Sequence, residues 1–220
     1  TQLLTLAHTP GPQMLTAVEQ LRAAESQRGF GVALLQLVQS IDIGLDIKQA
    51  SCIYFKNFIA RRWLAEPGMM AQEDRGPIKA NILNFVIASP KVLRVQLCAA
   101  LEDMVAADFP TDWPELLENL TKSLSAVGNP QALQATMEAA HSVFGRYRSV
   151  GRCAELIREA RSCADAFGPA HLEVWKLACA SVIESPDASP EHFNVYLNLL
   201  IATAQVYYDL MYPAISSFFK

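Results

Sequence analysis

The feature that most constrains the fold is a weak internal repeat with an offset of 46 residues (93 minus 47). Segment 47–63 (IKQASCIYFKNFIARRW) aligns with 93–109 (LRVQLCAALEDMVAADF), so that Cys52 falls on Cys98 and most matched positions are apolar. A third copy covers 133–147. A period of about 40 to 47 residues is typical of stacked helix pairs. One pair cannot bury both of its apolar faces, and its neighbours complete the core.

The apolar residues recur at helical spacing almost throughout the chain, and no alternation of period two is sustained. The sequence therefore predicts an all-α fold, a HEAT-repeat α-solenoid of antiparallel helix pairs. An irregular helical bundle with chance matches is the alternative. The predicted pairs are 1–8 with 12–26, 30–41 with 45–64, 74–88 with 90–108, 111–125 with 130–147, and 152–185 with 190–211.

The predicted organisation is one HEAT-repeat array over 1–220, with a first region at about 13–125 and further repeats at 126–220. A sixth pair begins at Tyr212, and 65–73 is predicted as an exposed loop. The chain opens without Met and closes on PAISSFFK, which is typical of the first turns of a helix. We therefore expect a fragment of a longer protein.

Prolines and glycines mark the expected helix ends, since proline lacks an amide donor and glycine relaxes the backbone. Gly76-Pro77 and Pro169 are among these expected breaks. Ser89, Asn129 and Ser189 each precede a proline, which predicts a capping residue followed by proline at the first helical position. Thr111 is the expected cap of the helix that follows it.

Composition excludes several classes of protein. Hydrophobic residues make up 51% and charged residues 18% of the chain, which excludes intrinsic disorder. The net charge of -4 argues against a dedicated nucleic-acid binder. The longest uncharged run, 192–208, contains polar amides and is too short for a membrane span.

The five cysteines form no CxxC pair, which predicts neither a disulfide framework nor a zinc site. The apolar neighbours of Cys52, Cys98 and Cys179 indicate reduced, buried thiols in a cytosolic or nuclear protein.

Catalytic patterns are not found in the sequence. The GFG at 29–31 lacks the third glycine of a dinucleotide fingerprint, and there is no phosphate-binding loop. The four histidines are scattered without a metal-type partner at helical spacing, and His141 is expected to be a packed or hydrogen-bonded core residue. Glu102 and Asp103 are adjacent on a helix and cannot form an acid/base pair. We therefore expect no catalytic residues, no metal, no cofactor and no enzyme.

Three segments resemble the amino-terminal region of the importin-β superfamily, or karyopherins: 49–63, 74–90 and 95–117. The string DFPTDWPELL (108–117) is fairly specific for the superfamily. The segments AAHSVFGRYR (139–148) and LLIATAQVYYDLMYPAISSFF (199–219) resemble the CAS exportins, which return importin-α from the nucleus.

The resemblance implies a binding protein without catalysis. Superfamily members grip Ran-GTP, a basic GTPase, with the inner helices of their first repeats. The CAS exportins carry importin-α as cargo, shuttle between nucleus and cytoplasm, and bind Phe-Gly nucleoporins at the nuclear pore between outer helices. The residues expected on or beside the Ran groove are Lys48, Lys56, Asn57, Arg94, Glu102, Asp103 and Glu138.

Each of these residues has a structural alternative. A charged helix face is often only solvated, and Asn57 is alternatively a buried asparagine that bonds a neighbouring loop. Arg61 and Arg62 are expected to interact with the helix dipole. The outer-helix residues Leu34, Leu37, Ile82 and Phe85 are expected in the core rather than in Phe-Gly pockets. For the whole chain, the alternatives are an importin-type receptor for another cargo and a non-transport HEAT scaffold subunit.

Overall fold

The computed structural model describes residues 1–63, 70, 72–125, 128–149, 153–183 and 189–211, without the side chains of residues 8, 72 and 149. Every regular element in these ranges is a helix, as predicted. In chain order the helices are α1 (Gln2–His8), α2 (Met14–Ala24), α3 (Phe30–Gln39), α4 (Leu45–Arg62), α5 (Gln72–Ala88), α6 (Lys91–Asp108), α7 (Glu115–Ser123), α8 (Pro130–Phe144), α9 (Arg146–Ser149), α10 (Ala154–Ile183) and α11 (Pro190–Met211).

The chain divides into two compact units, Thr1–Ala107 and Asp108–Lys220. In the first unit α1 packs on α2 and α4, and α3 packs on α4 and α5. Helix α4 buries one stripe that includes Phe55, Phe58 and Ile59, because these residues recur at helical spacing. Burying each such side chain contributes about 1.5 to 3 kcal/mol. The repeat-equivalent residues of α6 are also buried: Leu101, Met104 and Val105.

The start of α5 is joined to the start of α3 by a buried carboxylate. Gly29, with φ of +80°, precedes α3 and donates its backbone N–H to Asp74. The predicted helix 74–88 is confirmed as α5, and the break expected at Gly76-Pro77 is wrong, since Pro77 lies inside that helix. Pro77 is the sixth residue of α5, so it removes the hydrogen bond to the Glu73 carbonyl, and the packing of α5 on α3 compensates for that loss. Residues 72–73 of the predicted loop are helical, and Met70 is buried.

In the second unit α11 packs on α8 and α10, and α10 also packs on α7. Edge-on aromatic pairs lie between its helices, with ring centroids 5.2 Å apart for the buried Phe144 and Phe167 and 5.5 Å apart for the half-buried Trp175 and Tyr207. Edge-to-face pairs of this kind stabilise a core by about 0.5 to 1.5 kcal/mol beyond their area burial. Phe167 and Trp175 are eight residues apart on α10, so both point to the face of that helix that packs on its neighbours.

Two helix boundaries of the second unit differ from prediction. Helix α8 ends at Phe144, and residues 146–149 form the separate short helix α9. Helix α10 continues through Pro169, so the predicted break there is wrong. Its neighbours α7 and α11 hold it in place, and packing of a 30-residue helix outweighs one missing hydrogen bond.

Two of the predicted caps are confirmed by hydrogen bonds. The Asn129 side chain accepts from the Ala132 amide at 3.0 Å, and the Ser189 hydroxyl accepts from the His192 amide at 3.2 Å. The Thr111 cap is wrong, because α7 begins only at Glu115. The sixth pair predicted from Tyr212 lies outside the described residues.

All five cysteines are free thiols. Cys52 is buried as predicted, and burial raises the pKa of its thiol to about 12. Cys98 and Cys179 are only half-buried, so their predicted burial is wrong. None of the helices in the described ranges combines the length and apolarity that a bilayer span requires.

Candidate partner-binding surface

Four of the predicted residues form one face of the first unit, which we call the α4/α6 face: Lys56, Asn57, Glu102 and Asp103. Lys56 and Asn57 align with Glu102 and Asp103 in the repeat register. Burial raises the pKa of Asp103, and the positive charge of Lys56 offsets part of that rise. Helices α4 and α6 are therefore close enough here for electrostatic contact across the repeat.

The α4/α6 face is open to solvent. Asn57 and Glu102 are exposed, and Lys56 and Asp103 are half-buried. The alternative that Asn57 is a buried structural asparagine is therefore wrong. Two carboxylates and one ammonium give this face a formal charge of -1, which is complementary to the positive charge of a basic partner.

The other three predicted residues lie elsewhere. Arg94 is 8% exposed and donates to the Ser89 carbonyl at 2.9 Å, which ties the end of α5 to α6. Lys48 is half-buried and lines a cavity at the start of α4. Glu138 belongs to the second unit, where it accepts a hydrogen bond of 2.7 Å from Gln134.

A buried carboxylate that sequence reasoning missed organises the end of α4. Glu25, just after α2, accepts hydrogen bonds from Tyr54 at 2.9 Å, from Arg62 at 3.1 Å and from Arg61. Burial alone would raise the pKa of Glu25, but the hydrogen bonds from Arg61, Tyr54 and Arg62 outweigh burial and lower it. Arg61 and Arg62 therefore form ion pairs with the buried Glu25, a role beyond the predicted interaction with the dipole of their helix.

A second buried carboxylate joins α8, α9 and α11. Asp209 is fully buried, and its oxygens lie 2.6 Å from the His141 Nδ1 and 2.6 Å from the Arg148 Nε. His141 is thus hydrogen-bonded, as predicted. The 68-residue separation between His141 and Asp209 leaves no local signal by which the sequence could have paired them.

Two apolar grooves lie between first helices of successive pairs, one in each unit. The first, of about 330 Å³, is lined by α1, the end of α2 and α3, and includes Leu34 and Leu37. The second, of about 620 Å³, lies between the end of α7 and the middle of α10, with an ion pair of Glu173 and Lys176 (2.8 Å) on its lining. Leu34, Ile82 and Phe85 are buried, as expected of core residues, whereas Leu37 is half-buried.

The part of the chain that the structure describes contains no candidate metal-binding site. No three His, Cys, Asp or Glu side chains converge there in a metal-binding cluster. The geometry of the described residues is that of packed helices with a polar face and apolar grooves, which suits binding of other proteins.

Comparisons with known proteins agree with this architecture. The family model "Importin-beta N-terminal domain" matches residues 17–88. The importin alpha re-exporter of Saccharomyces cerevisiae is 30% identical over 207 residues, which are 93% of this chain and 21% of that protein. Exportin-2 of Pagrus major is 28% identical over 224 residues, which cover 100% of this chain and 23% of that protein.

A solved structure extends the similarity to the fold. The exportin Cse1 in its cargo-free, cytoplasmic state superimposes with a TM-score of 0.93 and 29% identity, over 99% of this chain and 24% of that one. The predicted HEAT-repeat α-solenoid class is thereby confirmed. The chain spans between 21% and 24% of the length of these relatives. Residues 17–88 thus match the importin-β amino-terminal domain, and over its whole length the chain is similar to the amino-terminal quarter or less of exportins that include the importin alpha re-exporter.

Proposed function

We propose that this chain is the Ran-GTP-binding amino-terminal part of an exportin that returns importin-α to the cytoplasm. The observation that carries the proposal is the TM-score of 0.93 with an exportin, at 29% identity over 99% of the chain. The name of the yeast relative, an importin alpha re-exporter, supports importin-α as the cargo. A receptor with this role shuttles between nucleus and cytoplasm and passes through the nuclear pore.

The α4/α6 face is the proposed contact for Ran. It places Asn57 and Glu102 in solvent on second helices of neighbouring repeats, with Lys56 and Asp103 beside them. Its carboxylates and the net charge of -4 favour approach of a basic GTPase, since complementary charge accelerates association. Lys48, Arg94 and Glu138 remain predicted contacts, and the burial of Arg94 weakens its candidacy.

The two apolar grooves are the proposed sites for Phe-Gly segments of nucleoporins. Each groove lies between first helices of successive pairs and is lined mostly by aliphatic side chains. A phenylalanine ring inserted there would gain hydrophobic contact, and the flanking glycines would let its backbone lie close to the helices.

The experiment is capture of Ran, loaded with GTP or with GDP, by the immobilised 220-residue chain. We expect capture of the GTP form and little or none of the GDP form. Binding is expected to be weak for this segment alone, because fewer repeats give fewer simultaneous contacts. Equal capture of both nucleotide forms would contradict the proposal.

Cargo is tested separately with a full-length receptor that contains this chain. We expect importin-α to strengthen Ran-GTP binding, and Ran-GTP to strengthen importin-α binding by the same factor, because thermodynamic coupling is reciprocal. Ran-GTP binding that importin-α leaves unchanged would instead favour a receptor for another cargo. Absence of Ran binding would favour a scaffold subunit.

A further inference from the structure

One side of α11 is exposed to solvent although it carries no charged residue. We call it the α11 stripe, and its members share one side of the helix because of their spacing: Asn198, Ile201, Gln205 and Tyr208. Two of them are large and apolar or aromatic, since Ile201 is 49% and Tyr208 is 53% exposed. The structure describes all of residues 193–211, and the only charged side chain among them is the fully buried Asp209. Depletion of charge together with an exposed tyrosine is typical of the centre of a protein interface.

A buried carboxylate fixes one arginine at the end of this stripe. The Arg148 Nε lies 2.6 Å from an Asp209 oxygen, and the guanidinium carbon lies 5.7 Å from the centre of the Tyr208 ring. An arginine has five N–H donors in a planar fork. Because Nε makes the contact with Asp209 and the side chain is 38% exposed, the terminal nitrogens of Arg148 can bind a second acceptor from solvent.

The position of Arg148 is set before any partner arrives. Asp209 also lies 2.6 Å from the His141 Nδ1, so its carboxylate joins α8, α9 and α11. A side chain that is already held in place loses less conformational entropy when it binds. Arginine and tyrosine are also the residues that most often dominate the energy of protein interfaces. The stacked pair of Arg148 and Tyr208 therefore has the composition and the rigidity of an interface hot spot.

The chemistry of the stripe limits what can bind there. The fork of Arg148 suits a carboxylate, and a singly charged group fits better than a phosphate because Asp209 already offsets one positive charge. Ile201 offers contact to an aliphatic side chain. The amides of Asn198 and Gln205 each provide a donor and an acceptor, as a peptide bond does, so they suit an extended backbone.

Helix geometry sets the spacing of the two anchors. Seven residues separate Ile201 from Tyr208, which corresponds to a rise of about 10 Å along α11. An extended chain covers about 10 Å in three residues. A partner segment that contacts both ends of the stripe therefore carries its carboxylate and its aliphatic side chain three residues apart.

We propose that the α11 stripe and Arg148 bind an extended segment of a partner protein, with a carboxylate on Arg148 and an aliphatic side chain, three residues away, on Ile201. Gln205 and Asn198 hydrogen-bond the backbone between and beside these two anchors. All of these residues belong to the second unit, whereas the α4/α6 face belongs to the first. The interaction needs no Ran, so this proposal and that for the α4/α6 face stand or fall separately.

The test is an NMR titration of the isotope-labelled 220-residue chain, without Ran, with the blocked peptide Gly-Ser-Glu-Gly-Ser-Leu-Gly-Ser. We expect shifts of the Arg148 Nε–H signal and of the Gln205 side-chain amide. The same peptide with Gln in place of Glu is expected to bind about tenfold more weakly, because a charge-assisted hydrogen bond is lost. A peptide with Glu next to Leu is expected to bind more weakly as well, because it cannot reach both anchors. Equal affinity of the Glu and Gln peptides would overturn the proposal without any mutation of the protein.

Variants locate the site. Arg148→Lys keeps a positive charge beside Asp209 but removes the planar fork, and we expect about tenfold weaker binding of the Glu peptide and no change for the Gln peptide. Ile201→Ser is expected to weaken binding of both peptides, because leucine loses its apolar contact. The matched control is Arg161→Lys, which makes the same change at an exposed residue of α10 and is expected to leave binding unchanged.

Circular dichroism verifies the fold of each variant. If Arg148→Lys and Arg161→Lys weaken binding equally, the attraction is nonspecific and the proposal is wrong. Unchanged binding in Ile201→Ser, or peptide-induced shifts confined to residues outside the α11 stripe and α9, would also contradict it.

Discussion

The Asp74 carboxylate and the Gly29 backbone N–H form one hydrogen-bonded junction, with the nitrogen 3.0 Å from one carboxylate oxygen and 2.9 Å from the other. Gly29 has the left-handed backbone conformation, with φ of +80°, that L-residues with a side chain rarely adopt. The junction connects the start of α5 to the start of α3, two helices 45 residues apart in sequence that pack together. It fixes the relative position of two successive repeats at one end.

Asp74→Ala is expected to destabilise the chain by about 1 to 3 kcal/mol, because a part-buried amide loses its charged acceptor. The measurement is urea unfolding followed by circular dichroism, with a lower midpoint at unchanged slope. Asp74→Asn keeps an acceptor and is expected to recover part of the loss. The control is the neighbouring Glu73→Ala, whose exposed pair with Arg28 is worth at most about 1 kcal/mol. Equal effects of Asp74→Ala and Glu73→Ala would contradict this role.

Glu25→Gln is expected to lower the free energy of unfolding near neutral pH by about 3 kcal/mol, since Arg61 and Arg62 lose a carboxylate that is nearly fully buried. The folded-state pKa of Glu25 is lower than the ordinary 4.5. The stability that its ionised form contributes is therefore complete above pH 4.5 and lost as the pH falls through the lower folded-state pKa.

Unfolding free energies of wild type and Glu25→Gln between pH 7 and about pH 3 test this dependence. We expect the difference between the two proteins to be constant at neutral pH and to shrink below the ordinary glutamate pKa. A difference that grows as the pH falls would show that the carboxylate is not stabilised in the folded state.

Gly31→Val is expected to destabilise the first unit by about 1 to 3 kcal/mol through overpacking. A Cβ at Gly31 would lie 2.9 Å from the Ile78 Cδ1 and 3.0 Å from the Phe58 Cε1, both on buried side chains. Gln36→Val is the control, because Gln36 is exposed on the same helix α3 and a valine there is not crowded by buried side chains. Its effect is expected to stay within about 0.5 kcal/mol. The measurement is the thermal unfolding midpoint of both variants. A lower midpoint for Gly31→Val alone indicates crowding, whereas equal midpoints would indicate an effect of helix propensity.

Asp103→Lys is expected to weaken Ran-GTP binding by about tenfold or more, because it reverses a charge on the α4/α6 face and places two lysines together. Surface plasmon resonance at two salt concentrations measures the effect, which we expect mainly in the association rate and to diminish at high salt. Glu118→Lys makes the same charge change on an exposed residue of α7, and we expect a smaller effect. Equal losses in both variants would place Ran elsewhere.

The helix pairs and their buried stripes could be predicted because they are local properties of the chain. Apolar residues at helical spacing, such as Phe55, Phe58 and Ile59, determine both the helix and the face that it buries. The caps at Asn129 and Ser189 are equally local, since each side chain bonds an amide three residues away. The break expected at Pro77 is wrong, because packing of α5 on α3, which is a tertiary contact, compensates for the hydrogen bond that the proline removes.

The sequence by itself determined the helices, the superfamily resemblance and the pairing of α1 with α2, α3 with α4, α7 with α8 and α10 with α11, because these depend on periodicity and on short strings of residues. Only the tertiary structure decided which charges are buried and paired. Glu25 meets Arg61 across 36 residues, and Asp209 meets His141 across 68. The tertiary structure also places Arg94 in the core and Lys48 at a cavity, although both are charged residues on amphipathic helices. The partner of a long charged side chain depends on which helices pack around it, and no local pattern encodes that.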